Sequence, residues 1–190
     1  MNWQLLQNSV WIGGLATCVA VTLGGLCALW TAALPRRGQT GVMTAAVIAL
    51  ALPPFLVTSC WLHLLGHTGT WRGWLPLNIY SQGGTVWLLA LLTWPVSFFF
   101  LLGAWRRVER SQLESDPALC GWAMVRWLLL PLARPALVLS GVLTFVLAFN
   151  NFAVPAILQT KVFPAELWVD FSTNLDPGAA LRLGWPVVLA

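Results

Sequence analysis

Charge is what this sequence has least of. Only 8% of its 190 residues are Asp, Glu, Lys or Arg, where about 25% is usual in a soluble domain. A soluble domain of this size exposes much of its surface and needs polar residues to cover it. Ten Lys/Arg and six Asp/Glu do not suffice, which excludes a soluble enzyme, a nucleic-acid binder and a disordered chain. A net charge of +4 and a pI near 9.3 do not reverse this, because the basic residues are scattered among apolar runs and form no phosphate-binding face. Ligand chemistry is equally thin. Cys18, Cys27, Cys60 and Cys120 form no CxxC pair, so they read as small buried hydrophobes. His63 and His67, the only histidines, are spaced so that they could share a helix face, but no third ligand is obvious, so interfacial histidines and no metal site are expected. No phosphate-binding GxxxxGK[ST] or GxGxxG and no hydrolytic triad is present. No cofactor and no catalytic residue is expected.

What is abundant is apolar length. Hydrophobic residues make up 58% of the chain and its mean hydropathy is +0.77. A bilayer needs about 20 apolar residues as helix. Runs of that length cover 9–34, 41–65, 85–105 and 128–155, the last extending to Leu158. A fifth run begins near Leu183 and is incomplete at Ala190, which reads as a fragment. No basic residue precedes the first run, and that run is too long for a secretory signal. The expected fold is therefore an all-α, polytopic transmembrane helix bundle forming one domain.

The basic residues orient it. Arg36, Arg37, Arg106, Arg107, Arg110, Arg126 and Arg134 flank the first and third connections, and Arg72, Lys161 and Arg182 the second and fourth. Seven against three places the first and third connections in the cytoplasm and the N-terminus outside. Trp3, Trp11, Trp71, Trp74, Trp87, Trp105 and Trp127 sit near run ends, where indoles favour the interface.

The polar and helix-breaking residues inside the runs are the candidate functional positions. Pro53, Pro54 and Pro95 remove backbone donors and kink their helices; Thr58, Ser59 and Thr93 are near enough to satisfy freed carbonyls. Kinked packing and the lining of a pathway are both compatible with this. Asn150 and Asn151 are amides at membrane depth, costly unless paired; they either line a path or gate, or form a helix C-terminal cap before Pro155. Gly13, Gly14, Gly24 and Gly25 read as close helix packing. The only charged island, 106–127, holds Ser115 and Asp116 as helix caps before Pro117, with Leu119, Trp122 and Val125 at helical spacing. It is either an interfacial helix resting on lipid or a docking helix for a soluble partner. Beyond it, Pro164 starts an amphipathic stretch carrying Leu167, Trp168, Phe171 and Leu175.

Four stretches resemble the permease subunits of type I ABC importers, the binding-protein-dependent, MetI-like transport components. Asn8-Ser-Val-Trp-Ile-Gly-Gly-Leu-Ala-Thr17 resembles the opening of their core helices, and Leu52-Pro-Pro-Phe-Leu56 their Pro-rich second core helix. Leu129-Leu-Pro-Leu-Ala-Arg-Pro-Ala-Leu137 resembles the end of their cytoplasmic signature, and Phe149-Asn-Asn-Phe-Ala-Val-Pro-Ala-Ile-Leu158 the end of the helix that follows. The resemblance implies an inner-membrane subunit importing a small polar solute, such as ferric iron or a thiamine-like compound, by alternating access. Its implied partners are an ATPase subunit, a second permease copy or half, an extracytoplasmic substrate-binding protein and membrane lipid. Glu114, Asp116, Ala118, Gly121, Trp122 and Arg126 would then couple to the ATPase. Pro53, Pro54, Thr58, Thr93, Pro95, Asn150 and Asn151 would line the path or gate. Glu114-Ser-Asp-Pro stands where the family has Glu-Ala-Ala, and the spacer from Gly121 to Pro131 is short. A secondary transporter would need buried ionisable residues in its spans, and only the edge residue Arg134 is there; an orphan or truncated membrane protein is the other alternative.

Overall fold

The computed structural model describes residues 3–74, 78–107 and 121–174. Helix α1 (Trp3–Ala33) is a single 31-residue helix, about 46 Å long at the usual rise. It is apolar all round, yet the face it buries is made of small residues: Ser9, Gly13, Ala16, Ala20, Gly24, Ala28 and Thr31, with Ile12. Their spacing of three and four draws one stripe along the helix. Lipid tails are as apolar as leucine, so helices in a membrane associate by close van der Waals packing, for which a stripe of small residues is suited.

That stripe lies against α4 (Gln82–Trp105), the most enclosed helix of the bundle. The two run in the same direction: Ile12 shares a cluster with Leu88 and Leu89, and Ala28 shares another with Leu101 and Leu102. A Cβ built on Gly24 would lie 2.7 Å from both the Phe98 nitrogen and the Trp94 oxygen. Only glycine admits this approach of the two backbones. A Cβ on Gly13 would stand 3.3 Å from the Phe145 ring and one on Gly25 3.3 Å from the end of Leu101, whereas one on Gly14 would meet open space. Close packing thus uses Gly13, Gly24 and Gly25 but not Gly14. Pro95 is accommodated inside α4 without ending it.

The run 41–65 folds as two helices, α2 (Arg36–Ala51) and α3 (Pro54–Leu65), which meet at 99°. Two consecutive prolines withhold two amide donors, and each pushes the residue before it into extended geometry. Leu52 (ψ 127°) and Pro53 (ψ 135°) are both extended, and Pro54 starts α3. The expected kink is thus a full break.

The described chain resumes at Gly121, in the left-handed region (φ 59°). A helical stretch with an uneven winding follows: α5 (Trp122–Met124), a π-helical turn (Val125–Leu129) and α6 (Leu130–Leu132). Pro131 lies just beyond the π turn, where its missing donor already disturbs the hydrogen-bond ladder. Helix α7 (Arg134–Phe149) then returns along α1 and α4, and short α8 (Ala153–Ile157) and α9 (Phe163–Asn174) follow. Helices α1 and α4 and the stretch Arg134–Ile157 are each long and apolar enough to cross a membrane, and the bent α2–α3 pair counts as a fourth span if taken together.

Packing divides into two clusters. One, around Ile12, Leu65, Leu88, Leu89 and Val154, lies at the N-terminal end of α1. The other, around Ala28, Ala46, Phe98, Leu101 and Ala133, lies at the end where Arg36, Arg37, Arg106 and Arg107 gather; we call this the basic end. Two cysteines depart from the buried reading: Cys18 and Cys60 are exposed and Cys27 is half-buried, while Cys120 lies outside the described residues. An apolar thiol on a lipid-facing helix costs nothing, so the membrane removes the pressure to bury it.

Candidate functional site

The structure brings some of the candidate path residues together and leaves others apart. Pro54, Asn150 and Asn151 line one cavity of about 350 Å³, with Val146, Leu147 and Phe152. It forms where the α2–α3 break faces the α7–α8 junction. Asn150 is exposed and its Nδ2 donates to the Val146 carbonyl of its own helix at 3.0 Å. The Asn151 Oδ1 accepts from the Val154 amide at 3.1 Å, one turn ahead, and so caps α8. Asn150 stands at the C-terminal end of α7, whereas Asn151 serves the start of α8, and both amides border the cavity.

The remaining path residues lie elsewhere. Thr58 is fully buried and returns its hydroxyl to the Pro54 carbonyl at 2.8 Å. Thr93 does the same to the Leu89 carbonyl at 2.8 Å. Both hydroxyls return to a carbonyl four residues back in their own helix, the local bond common for Thr in helices; the carbonyl that Pro95 leaves free is that of Leu91, not the Leu89 carbonyl that Thr93 meets. Pro95 is buried within α4, and Pro53 forms the extended corner before α3. None of these four lines that cavity.

Of the coupling residues, Glu114, Asp116 and Ala118 lie outside the described residues. Gly121 opens the described part of the segment with its positive φ, and Trp122 begins α5. The Arg126 guanidinium sits over the Trp127 ring at 5.6 Å, with both residues exposed, an arrangement that favours a cation on the indole face.

Several polar contacts join segments that no sequence spacing paired. At the basic end, Gln39 bridges α1 and α4. Its Nε2 donates to the Leu34 carbonyl at 3.0 Å, and its Oε1 accepts from Arg106 Nη2 at 2.9 Å. Beside it, Trp105 Nε1 donates to the Leu129 carbonyl at 3.0 Å, joining the end of α4 to the π turn. Within the bundle, the Ser97 and Thr144 hydroxyls meet at 3.3 Å. At the opposite end, Thr85 and Thr160 share a hydrogen bond of 2.7 Å. The buried Ser9 hydroxyl donates to the Leu5 carbonyl and accepts from the Phe163 amide at 2.8 Å, fixing the start of α9 on α1. Also at that end, His67 stacks on Tyr80 at 4.7 Å, and its Nδ1 accepts from Arg72 at 2.9 Å. Signals for these were weak, since a lone Ser, Thr or Gln carries no period or spacing.

Apolar spans joined by close packing and a few interhelical hydroxyl bonds, with prolines and amides at one cavity, define a polytopic α-helical membrane protein. No protein-family model matches the chain. It is 30% identical over 183 residues to a probable molybdenum ABC transporter permease protein of Haloferax volcanii, covering 93% of this chain and 67% of that one. It is 28% identical over 184 residues to the maltose/maltodextrin transport system permease protein MalG of Vibrio parahaemolyticus, covering 93% of this chain and 59% of MalG. Other relatives are named for 2-aminoethylphosphonate and ferric transport systems. The chain belongs to the ABC transporter permease family. It spans about three fifths of the length of MalG and of the phosphonate-system relative.

Proposed function

We propose that this chain is the permease subunit of an ATP-driven, binding-protein-dependent importer of a small polar solute. The observation that supports this most is its similarity, over nearly its whole described length, to permeases of several uptake systems. In this reading the N-terminus is outside and the basic end faces the cytoplasm. The segment 106–127 then carries the coupling loop, with Glu114, Asp116, Ala118, Gly121, Trp122 and Arg126 contacting an ATPase subunit. A second permease copy or half completes the path, and an extracytoplasmic binding protein delivers the solute. The relatives' names range over maltose/maltodextrin, molybdenum, 2-aminoethylphosphonate and ferric systems, so the solute class is broad. Ferric iron and thiamine-like compounds are the first to assay. ATP hydrolysis resides on the partner chain.

Trp105 and Gln39 suit the coupling role mechanically. They join α4, α1 and the π turn on the two sides of the 106–127 segment, so a push on that segment would be felt by both long helices. The test is cross-linking in native membranes from a cysteine placed at Ala118 in a background lacking the four native cysteines. A cross-linked ATPase subunit is expected. Recovery of this chain alone, from membranes that contain the ATPase, would overturn the coupling reading.

The path reading makes a separate prediction at Asn150. Its side chain is exposed and bonds only within its own helix, so Asn150→Ala is expected to cost less than about 1 kcal/mol of stability. Uptake should nevertheless fall several-fold in reconstituted vesicles. Unchanged uptake would reduce Asn150 to a helix-end residue.

A further inference from the structure

A second, larger cavity lies at the basic end, between the C-terminal part of α4 and the start of α7. It is a groove of about 670 Å³ whose walls include Phe99, Gly103, Leu132, Ala136 and Leu139, with Arg107 as its one charged residue. Small residues make the space: Gly103, Ala104 and Ala136 stand where larger side chains would close the gap between the helices. The groove is open, and two of its lining residues reach the surface. Leu139 is 58% exposed and Leu132 43% exposed, and Gly103 has nothing within 4 Å of the position of a Cβ.

Its chemistry restricts the occupant. A polar solute would need several converging donors and acceptors in such a cavity, and here a single guanidinium is set against aromatic and aliphatic walls. A purely apolar molecule would make no use of the guanidinium. The complement is a molecule that is apolar over most of its length and anionic at one end. Arg107 follows the last turn of α4, at the depth where a spanning helix meets the headgroups. Basic pockets between spanning helices at that level suit phospholipid phosphates, and a guanidinium can engage a phosphate through two parallel hydrogen bonds.

We propose that this groove is a binding site for one anionic phospholipid, its acyl chain lying between Phe99 and Leu139 across Gly103 and its phosphate held by Arg107. The site is independent of the transport reading, because its test measures lipid retention and requires neither ATPase nor solute. The whole chain is purified in detergent, delipidated and titrated with phosphatidylglycerol or with phosphatidylcholine of the same acyl chains, and bound lipid is counted by native mass spectrometry. Wild type should prefer phosphatidylglycerol by about fivefold, the effect of one cation near a headgroup. Arg107→Gln should abolish that preference while still holding both lipids. Gly103→Leu puts a side chain into the groove from a position whose Cβ has no atom within 4 Å, and should weaken both lipids several-fold. Equal retention of phosphatidylglycerol by wild type and both variants would overturn the site. So would protection of the protein against heat by inorganic phosphate as strong as that by phosphatidylglycerol, which would show an anion site without a lipid. If Gly103→Leu changes the oligomeric state instead of lipid retention, the groove is an interface between copies and the lipid proposal fails.

Discussion

Gly24→Leu is expected to prevent α1 from seating on α4. The added Cβ alone would stand 2.7 Å from the Phe98 nitrogen and the Trp94 oxygen and 2.8 Å from the Ser97 Cβ. Two of these atoms are backbone, and they belong to the most enclosed helix, so neither can swing aside. Overpacking a core typically costs about 1–3 kcal/mol and occasionally more. With backbone as the obstacle, Gly24→Leu should lie at or above the top of that range, and Gly24→Ala should already be clearly destabilising. Size-exclusion profiles and thermal unfolding in mild detergent report this as loss of the monodisperse species. Gly14→Ala is the control, because nothing lies within 4 Å of its Cβ position and alanine is the better helix former. A Gly24→Leu protein as stable as wild type would show that the helices do not cross at this residue.

The second large effect is expected at Ser9. Its hydroxyl is the partner of the buried Phe163 amide at 2.8 Å, while also returning a hydrogen bond to Leu5. Ser9→Ala leaves that amide without its acceptor, and an unsatisfied buried donor costs about 1–3 kcal/mol. The loss should be local first: amide hydrogen exchange at Phe163 and along the first turn of α9 should accelerate before the bundle melts. Ser172→Ala is the matching control, since its hydroxyl is exposed and bonds within its own helix. Unchanged exchange at Phe163 in Ser9→Ala would remove Ser9 as the anchor of α9.

The two effects mark different degrees of legibility. The stripe holding Gly24 could be read as small residues at helical spacing, and close packing was the expected reading. Which of the four glycines touch a neighbour could not be read, because Gly13 and Gly14 are adjacent and only the helix's rotation against α4 separates them. Ser9 carried no signal of its own. Its partner is 154 residues away in the chain, and no local pattern encodes a contact at that separation. The same holds for Thr85 with Thr160 and for Ser97 with Thr144.

The candidate site shows a similar division. Pro53 and Pro54 were legible as a disruption, since missing donors act locally, but the size of the turn they make was not. Asn150 and Asn151 were legible as costly amides. That they border one cavity with Pro54 depends on how α3 and α8 pack, and that Thr93 and Pro95 lie apart from it depends on the rotation of α4.

The sequence by itself determined that this is an all-helical membrane protein. With so few charges and such long apolar runs, burial in lipid and internal satisfaction of the backbone leave helices as the solution. It also determined, through its motifs, the family resemblance that the relatives bear out. Only the tertiary structure decided that α1 and α4 run side by side through Gly24, that the proline pair turns the chain by 99°, and that Arg107 overhangs an apolar groove. These depend on helix rotation and register, which many weak contacts between distant residues select together and no single stretch of sequence specifies.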